Sequence, residues 1–390
     1  MIRISIPYLI TVIIAVLLLF TGHNAAMDGM ADFQNHSHEV VRARVQTVVE
    51  HVERSFDFFD DYEDYEDIDD FGFSSMVPEN SIIFEARVTS GIRTGEVITA
   101  EQTFSPLLMD RSKEVAEGDR VLLVNNNIGW FFGGYVRTNA LLVLGILFAV
   151  LLLVFGGKKG FNTILSLGFT CAAIFTVFIP SILSGKNIYL MSILVCIYTI
   201  AMTLLIVIGY NKKSLAAVAG CTAGVMVAGI IAVIMDRAMY LTGIVDEHSR
   251  YLVHLPGNVQ LNLNAIIFAG VIIGAMGAIM DVAISISSSL WEVKEKAGLI
   301  KFQELFRSGL NIGRDIMGSM ANTLILAYIG SSLTVVLLLS VYSGSFLSLF
   351  NSEMIAVEIL QALAGSLGIL FAMPLTALFC SIIFLRDSKD

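Results

Sequence analysis

Charge is scarce in this chain. Asp, Glu, Lys and Arg make up 15% of its 390 residues, against roughly 25% in an ordinary soluble domain. Hydrophobic residues make up 56% and the mean hydropathy is +0.77. Soluble chains of this length split into domains rather than growing one larger core, so no soluble fold hides that much apolar surface. This excludes a cytosolic enzyme, a secreted disulfide scaffold and a nucleic-acid binder. Cysteine is equally sparse. Cys171, Cys196, Cys221 and Cys380 all sit inside apolar runs, which leaves neither a disulfide framework nor a CxxC metal site. The six histidines (His23, His36, His38, His51, His248 and His254) lie outside the apolar spans or in outer loops. That argues against intramembrane haem ligation and a rhomboid-type Ser/His pair. HExxH, Walker A and a GxGxxG opening a βα unit are all absent. No enzyme and no cofactor is expected.

What the chain does have is long apolar runs, and a spanning helix needs about 20 such residues. Eight are read: Ile4–Thr21, Asn139–Phe155, Thr163–Leu183, Ile188–Gly209, Leu215–Met235, Leu263–Ser285, Met320–Tyr342 and Ala356–Leu385. The expected fold is an all-α membrane bundle of about eight transmembrane helices with a small extracytoplasmic β-rich domain. With the N-terminus inside, the short inner segments hold 12 Lys/Arg and the outer loops only Lys186, Arg237 and Arg250. Such a bias orients a membrane protein, here with both termini cytoplasmic. Residues 1–21 read as an N-terminal anchor, a cleavable signal peptide being the alternative. Residues 22–138 read as the outer domain and 139–390 as a seven-helix membrane domain.

The outer segment from Gly22 to Thr138 is acidic, with 22 Asp/Glu against 9 Lys/Arg. Such a field repels nucleic acid and anionic lipid surfaces. Val40–Val49, Ser81–Val88, Glu96–Phe104 and Arg120–Val124 are short β-branched stretches separated by turn signals such as Thr94-Gly95. Four or five strands in this length suggest a small barrel of the OB-like kind. Nine of the 14 residues from Asp57 to Asp70 are acidic. The run fails the EF-hand spacing and reads as a solvated loop. His36-Ser37-His38 is a weak candidate metal pair.

Ionisable groups inside apolar spans are costly and therefore mark function. In the sixth run, Gly270, Gly274, Gly277, Asp281, Ser285 and Ser288 fall on one helical face. Small residues allow close helix approach, so this face is expected to point into the bundle, with the three glycines as packing positions. Asp281 then lies roughly 25–27 Å below the outer end of its span. Arg314, Asp315 and Asn322 approach the same level, giving an expected polar cluster of Asp281, Ser285, Arg314, Asp315 and Asn322. In the eighth run Glu358 and Gln361 lie near the outer end, and Pro374 interrupts the middle. Trp291–Arg314 reads as an amphipathic helix on the inner surface. Asn139–Leu183 and Ile188–Met235 hint at a duplicated hairpin, each closing on a Lys pair.

Three stretches carry a resemblance: Gly274-Ala-Met-Gly-Ala-Ile-Met-Asp-Val-Ala-Ile-Ser285; Gly313-Arg-Asp-Ile-Met-Gly318 with Asn322 through Gly330; and Glu358 through Pro374-Leu-Thr376. In these, from about Glu85 onward, the chain resembles the YibE/F family of bacterial multispanning membrane proteins. The resemblance implies a bacterial cell membrane and brings no substrate with it. The functional expectation is a permease-like protein that moves a small solute or ion past Asp281. The competing class is a membrane scaffold or sensor whose outer domain binds a protein or envelope partner. The bilayer, a solute or ion, and a second copy or membrane partner are the partners this leaves open.

Overall fold

A computed structural model describes residues 6–27, 39–56, 77–104, 113–126, 128–253, 261–298, 300–342 and 345–385. The acidic run 57–70, His36, His38 and His254 lie outside the described residues. The chain divides into two compact units, Asn35–Val150 and the rest.

Helix α1 (Ile6–Met27) carries no acidic or basic residue in its terminal turns. Five strands follow: β1 (Glu39–Phe56), β2 (Val77–Val88), β3 (Val97–Phe104), β4 (Arg120–Asn125) and β5 (Trp130–Tyr135). They close into a barrel in the order β1-β2-β3-β5-β4. Every pairing is antiparallel except β3 with β5. The 18-residue β1 makes closure possible, because it pairs with β2 along most of its length and with β4 through Glu39–Arg44. Two register shifts in β1 increase its bend. Alternation sends Val41, Ala43, Val45, Phe84, Ala86, Ile98, Ala100, Val121 and Leu123 inward. The buried Gln102 is satisfied there: its amide donates to Lys113 O (3.0 Å) and accepts from Val115 N (2.9 Å). The sequence suggested four or five strands, and β5 is the one its pattern did not mark.

Beyond the barrel lie α2 (Thr138–Ala172), a π-helical stretch (Ala173–Phe178), α3 (Ile179–Leu183), α4 (Ile188–Ile208), α5 (Lys212–Ala238), α6 (Glu247–Val253) and α7 (Leu263–Ala297). They are followed by α8 (Phe302–Ser331), α9 (Leu333–Tyr342), α10 (Phe346–Asn351) and α11 (Glu353–Leu385). Six helical stretches among the described residues are long and apolar enough to cross a membrane: Pro7–Met27, Thr138–Leu183, α4, α5, α7 and α11. The 46-residue stretch Thr138–Leu183 holds two of the expected runs. It breaks at Gly157 (φ 52°, ψ −126°), a left-handed backbone that glycine adopts freely. A Cβ on Gly160 would collide with the Leu152 carbonyl, so the chain folds back on itself here.

The expected seventh run, Met320–Tyr342, requires correction. It is shared between α8 and α9, which part at Ser332. Helix α8 is not among the six, because Glu304, Arg307, Arg314 and Asp315 occupy its first half. Trp291–Arg314 is not a separate surface helix either. Its first part ends α7, the chain turns at Gly298 (φ +64°), and the rest opens α8.

The core of the bundle is built from α4, α5, α7, α8 and α11. Glycines set the helix spacing. Gly220 and Gly224 of α5 lie against Thr376 and Ala372 of α11, Gly368 lies against Ala228 and Ile279, and Gly309 and Gly313 of α8 lie against Ala377 and Met373. Lipid tails are as apolar as leucine, so close packing of this kind holds such helices together. Side-chain hydrogen bonds join α1 to the bundle. Tyr8 donates to Asn162 Oδ1 (3.0 Å), Asn162 donates to Ile206 O (3.0 Å), and Tyr198 donates to Ala15 O (3.2 Å). At the far end of α1, Lys186 donates to Ala25 O. Helix α11 passes through Pro374 without ending. Three cysteines, Cys196, Cys221 and Cys380, are buried, while Cys171 is exposed.

The start of α11 is tied to the turn after α5. Glu353 accepts from the backbone N–H groups of Thr242 and Gly243 (both 2.7 Å) and from the Thr242 hydroxyl (2.8 Å). Charge-assisted bonds are the stronger class, about 1.5–3 kcal/mol each, although this site is partly exposed. Glu353→Ala should accelerate hydrogen exchange at the Thr242 and Gly243 amides by at least about tenfold, the effect of roughly 1.4 kcal/mol. Unchanged protection at those two amides would remove this tie from the account.

Candidate functional site

Helix α7 starts with Asn262 Oδ1 accepting from Ala265 N (3.1 Å) and continues for 35 residues. Its buried face is the apolar one: Ile272, Ala275, Ile279, Val282, Ala283, Ile286 and Leu290 pack into the core. The face expected to point inward does not. Gly270, Gly274, Gly277 and Asp281 are exposed, and Ser285 and Ser288 are half-buried. The correction has a physical reason. The large aliphatic side chains on the opposite face fill the spaces left by the glycines of α5 and α11, and one helix cannot bury both faces. The three glycines are only lightly covered: Gln361 approaches Gly270, the Tyr328 hydroxyl caps Gly274, and nothing lies within 4 Å of a Cβ on Gly277.

Helix α8 lies antiparallel beside α7. Leu290 meets Gly309 at one end, and Gly274 meets Tyr328 at the other. This register sets Asp281 opposite residues 319–321, within one turn of Asn322. Arg314 and Asp315 come level with Ser285. All three of these α8 side chains are exposed. The sequence thus identified the helices and the approximate level. Among the described residues, however, no hydrogen bond or ion pair links Asp281 to Arg314, Asp315 or Asn322. Such pairs are found in the barrel unit, where Arg93 pairs with Glu39 and Glu96, and Lys113 with Asp119.

Glu358 belongs elsewhere. Helix α11 runs parallel to α7, with Gln361 near Gly270, Gly365 near Ala275 and Phe384 near Trp291. Asp281 is therefore level with about residue 372, some 14 residues or roughly 20 Å from Glu358 along the axis. Glu358 instead lines an apolar cleft of about 180 Å³ with Tyr328, Ile329, Ser332 and Ile355.

At the other end of α7 the helix termini are bound by aromatic and basic groups. Trp291 packs edge-on against Phe384 (5.0 Å). The Lys213 and Lys294 ammonium groups stand 5.5 and 5.4 Å from its ring, within cation–π range. Lys294 also donates to Phe384 O, and Ser287 donates to Lys213 O (2.8 Å). From sequence alone these lysines entered only the charge count, with no partner assigned. No group of three or more His, Cys, Asp or Glu among the described residues is arranged to hold a metal ion.

These features define a bundle of bilayer-length apolar helices, with small residues at its contacts and an uncovered polar face, in a chain that also carries a closed five-stranded barrel. Residues 144–386, more than half of the chain, match the family model described as YibE/F-like protein, and the chain belongs to that family. No curated protein and no solved structure matches it.

Proposed function

We propose that the protein is a permease-like membrane protein that passes a small solute or ion along the polar face of α7 and α8. In this reading it sits in a bacterial cell membrane with both termini in the cytoplasm and the barrel outside. One observation carries it. The Asp281 carboxylate stands on the surface of an apolar helix of bilayer length, exposed and without a hydrogen-bond or ion-pair partner among the described residues. In hydrocarbon such a group is costly, about 2.5–3.5 kcal/mol at a helix centre on insertion scales and less toward the inner end, where Asp281 stands. A path that brings water or a hydrated ion to this face removes that cost. Ser285, Ser288, Ser319 and Asn322 supply further polar groups beside it, and Arg314 and Asp315 flank its inner end. The lysines around Trp291 support the orientation, since positive charge is retained on the cytoplasmic side.

The test is flux in liposomes against a panel of cations and small solutes, comparing wild type with Asp281→Asn. Flux should fall about tenfold or more, the equivalent of at least 1.4 kcal/mol. Equal flux in the variant would reject Asp281 as the site.

A second reading, a scaffold or sensor, is favoured by the barrel. We read its strand order as OB-like. Its turns expose two isoleucines almost completely, Ile92 at the β2–β3 turn and Ile128 at the β4–β5 turn. Such apolar tips suit a protein or envelope partner. Absence of flux for every solute tested would favour this reading.

A further inference from the structure

Near the start of α7, about 26 Å along the helix from Asp281, a small cavity lies between four helices. Tyr189 of α4, Asp236 of α5, Asn264 and Phe268 of α7 and Leu360 of α11 line it, and its volume is about 10 Å³. That is room for about one water-sized particle. Asp236 Oδ1 is buried and has no hydrogen-bond partner among the described residues. Five other buried side-chain oxygens share that condition, but all five are hydroxyls of Ser or Thr, which rotate to find a carbonyl. Among the described residues, Asp236 carries the one buried carboxylate oxygen without a partner, and such an oxygen is costly unless something positive meets it. Arg237, its neighbour, is exposed and forms no ion pair among the described residues.

The surroundings are built rather than accidental. Asn264 Nδ2 donates to Leu241 O (2.9 Å), which fixes the amide and leaves Asn264 Oδ1 as an acceptor. The turn carrying Leu241 is held from above by the Glu353 bonds to Thr242 and Gly243. The Tyr189 ring rests on Phe268 at 5.0 Å. Three side chains that carry hard oxygens thus line a space for one small particle, and only one of them carries charge.

We propose that this cavity is a monovalent-cation site that takes sodium. Asp236 Oδ1 is the charged ligand, and Asn264 Oδ1 and the Tyr189 hydroxyl are neutral ones. Charge balance favours a single positive charge. Calcium takes six to eight oxygens, commonly from several carboxylates, and magnesium demands a near-ideal octahedron; neither set is present. The site is separate from the Asp281 face and stands whether or not that face conducts.

The test uses the purified full-length chain in detergent. In sodium chloride, compared with choline chloride at equal ionic strength, the wild-type melting temperature should rise by about 2–4 °C. Asp236→Asn should abolish the rise. Radiolabelled sodium should bind wild type at about one ion per chain, displaced by excess unlabelled sodium and not by choline, and Tyr189→Phe should weaken that binding several-fold. No bound sodium on wild type, or a sodium-dependent rise that survives Asp236→Asn, would overturn the proposal and leave the cavity to a single water. If Asp236→Asn does not fold, the wild-type binding measurement and Tyr189→Phe decide alone.

Discussion

Gly224→Leu should abolish recovery of a folded, monodisperse chain. A Cβ at position 224 would stand 2.6 Å from the Ala372 Cβ, 3.1 Å from its Cα and 3.1 Å from Ile279 Cγ2. Two of the three obstacles belong to α11 and one to α7, and the Ala372 Cα is backbone, so no rotamer change relieves the clash. Overpacking a close-packed core costs typically 1–3 kcal/mol for added methylenes. A whole isobutyl group driven between three helices exceeds that range. The contacts it separates extend through Gly220, Gly365 and Gly368, so the damage should spread along the interface. The comparison is size-exclusion behaviour of Gly224→Leu against Gly277→Leu in the same detergent. Gly277 has open space at its Cβ, so Gly277→Leu should elute as wild type. Equal behaviour of the two variants, whether both fold or both aggregate, would reject the assigned packing.

Phe84→Ala should unfold the barrel while leaving the helices in place. Phe84 is fully buried among Val41, Ala43, Ile98, Val121 and Leu123. Truncating a core phenylalanine to alanine costs about 3–5 kcal/mol, a large share of the roughly 5–15 kcal/mol a domain possesses. The readout is hydrogen exchange on the intact chain. Amides of β1, β2 and β3 should lose protection, and those of α5, α7 and α11 should keep it, because the two units have separate cores. Loss of protection in both sets together would show that the units unfold as one.

The barrel was legible because one of its faces meets water. Period-two alternation in Glu96–Phe104 and Arg120–Val124 states which side chains go inward, and it marked four strands. It failed for Trp130-Phe-Phe-Gly-Gly-Tyr135, where four aromatics and two glycines show no alternation. The helices were legible as lengths of apolar sequence but not as faces. In α7 both stripes looked suited to the interior. The small residues at 270, 274 and 277 promised close approach, whereas Ile272, Ile279 and Ile286 are the ones that fill the core. In water, hydrophobicity separates inside from outside; a face that can meet acyl chains carries no such label. Asp236 escaped notice for a different reason. The apolar run ends at Met235, which leaves the acid just outside it, and only the fold shows that the α5 helix carries it back against Asn264 and Tyr189.

The distribution of thiols gives the protein a built-in clock. Cys196, Cys221 and Cys380 are walled off on three different helices, and only Cys171 is open. An alkylating probe added to the native chain should therefore modify one sulfur at once and the other three only as the rods separate. The number of adducts, followed by mass over time, then records how often α4, α5 and α11 part company, without any engineered label.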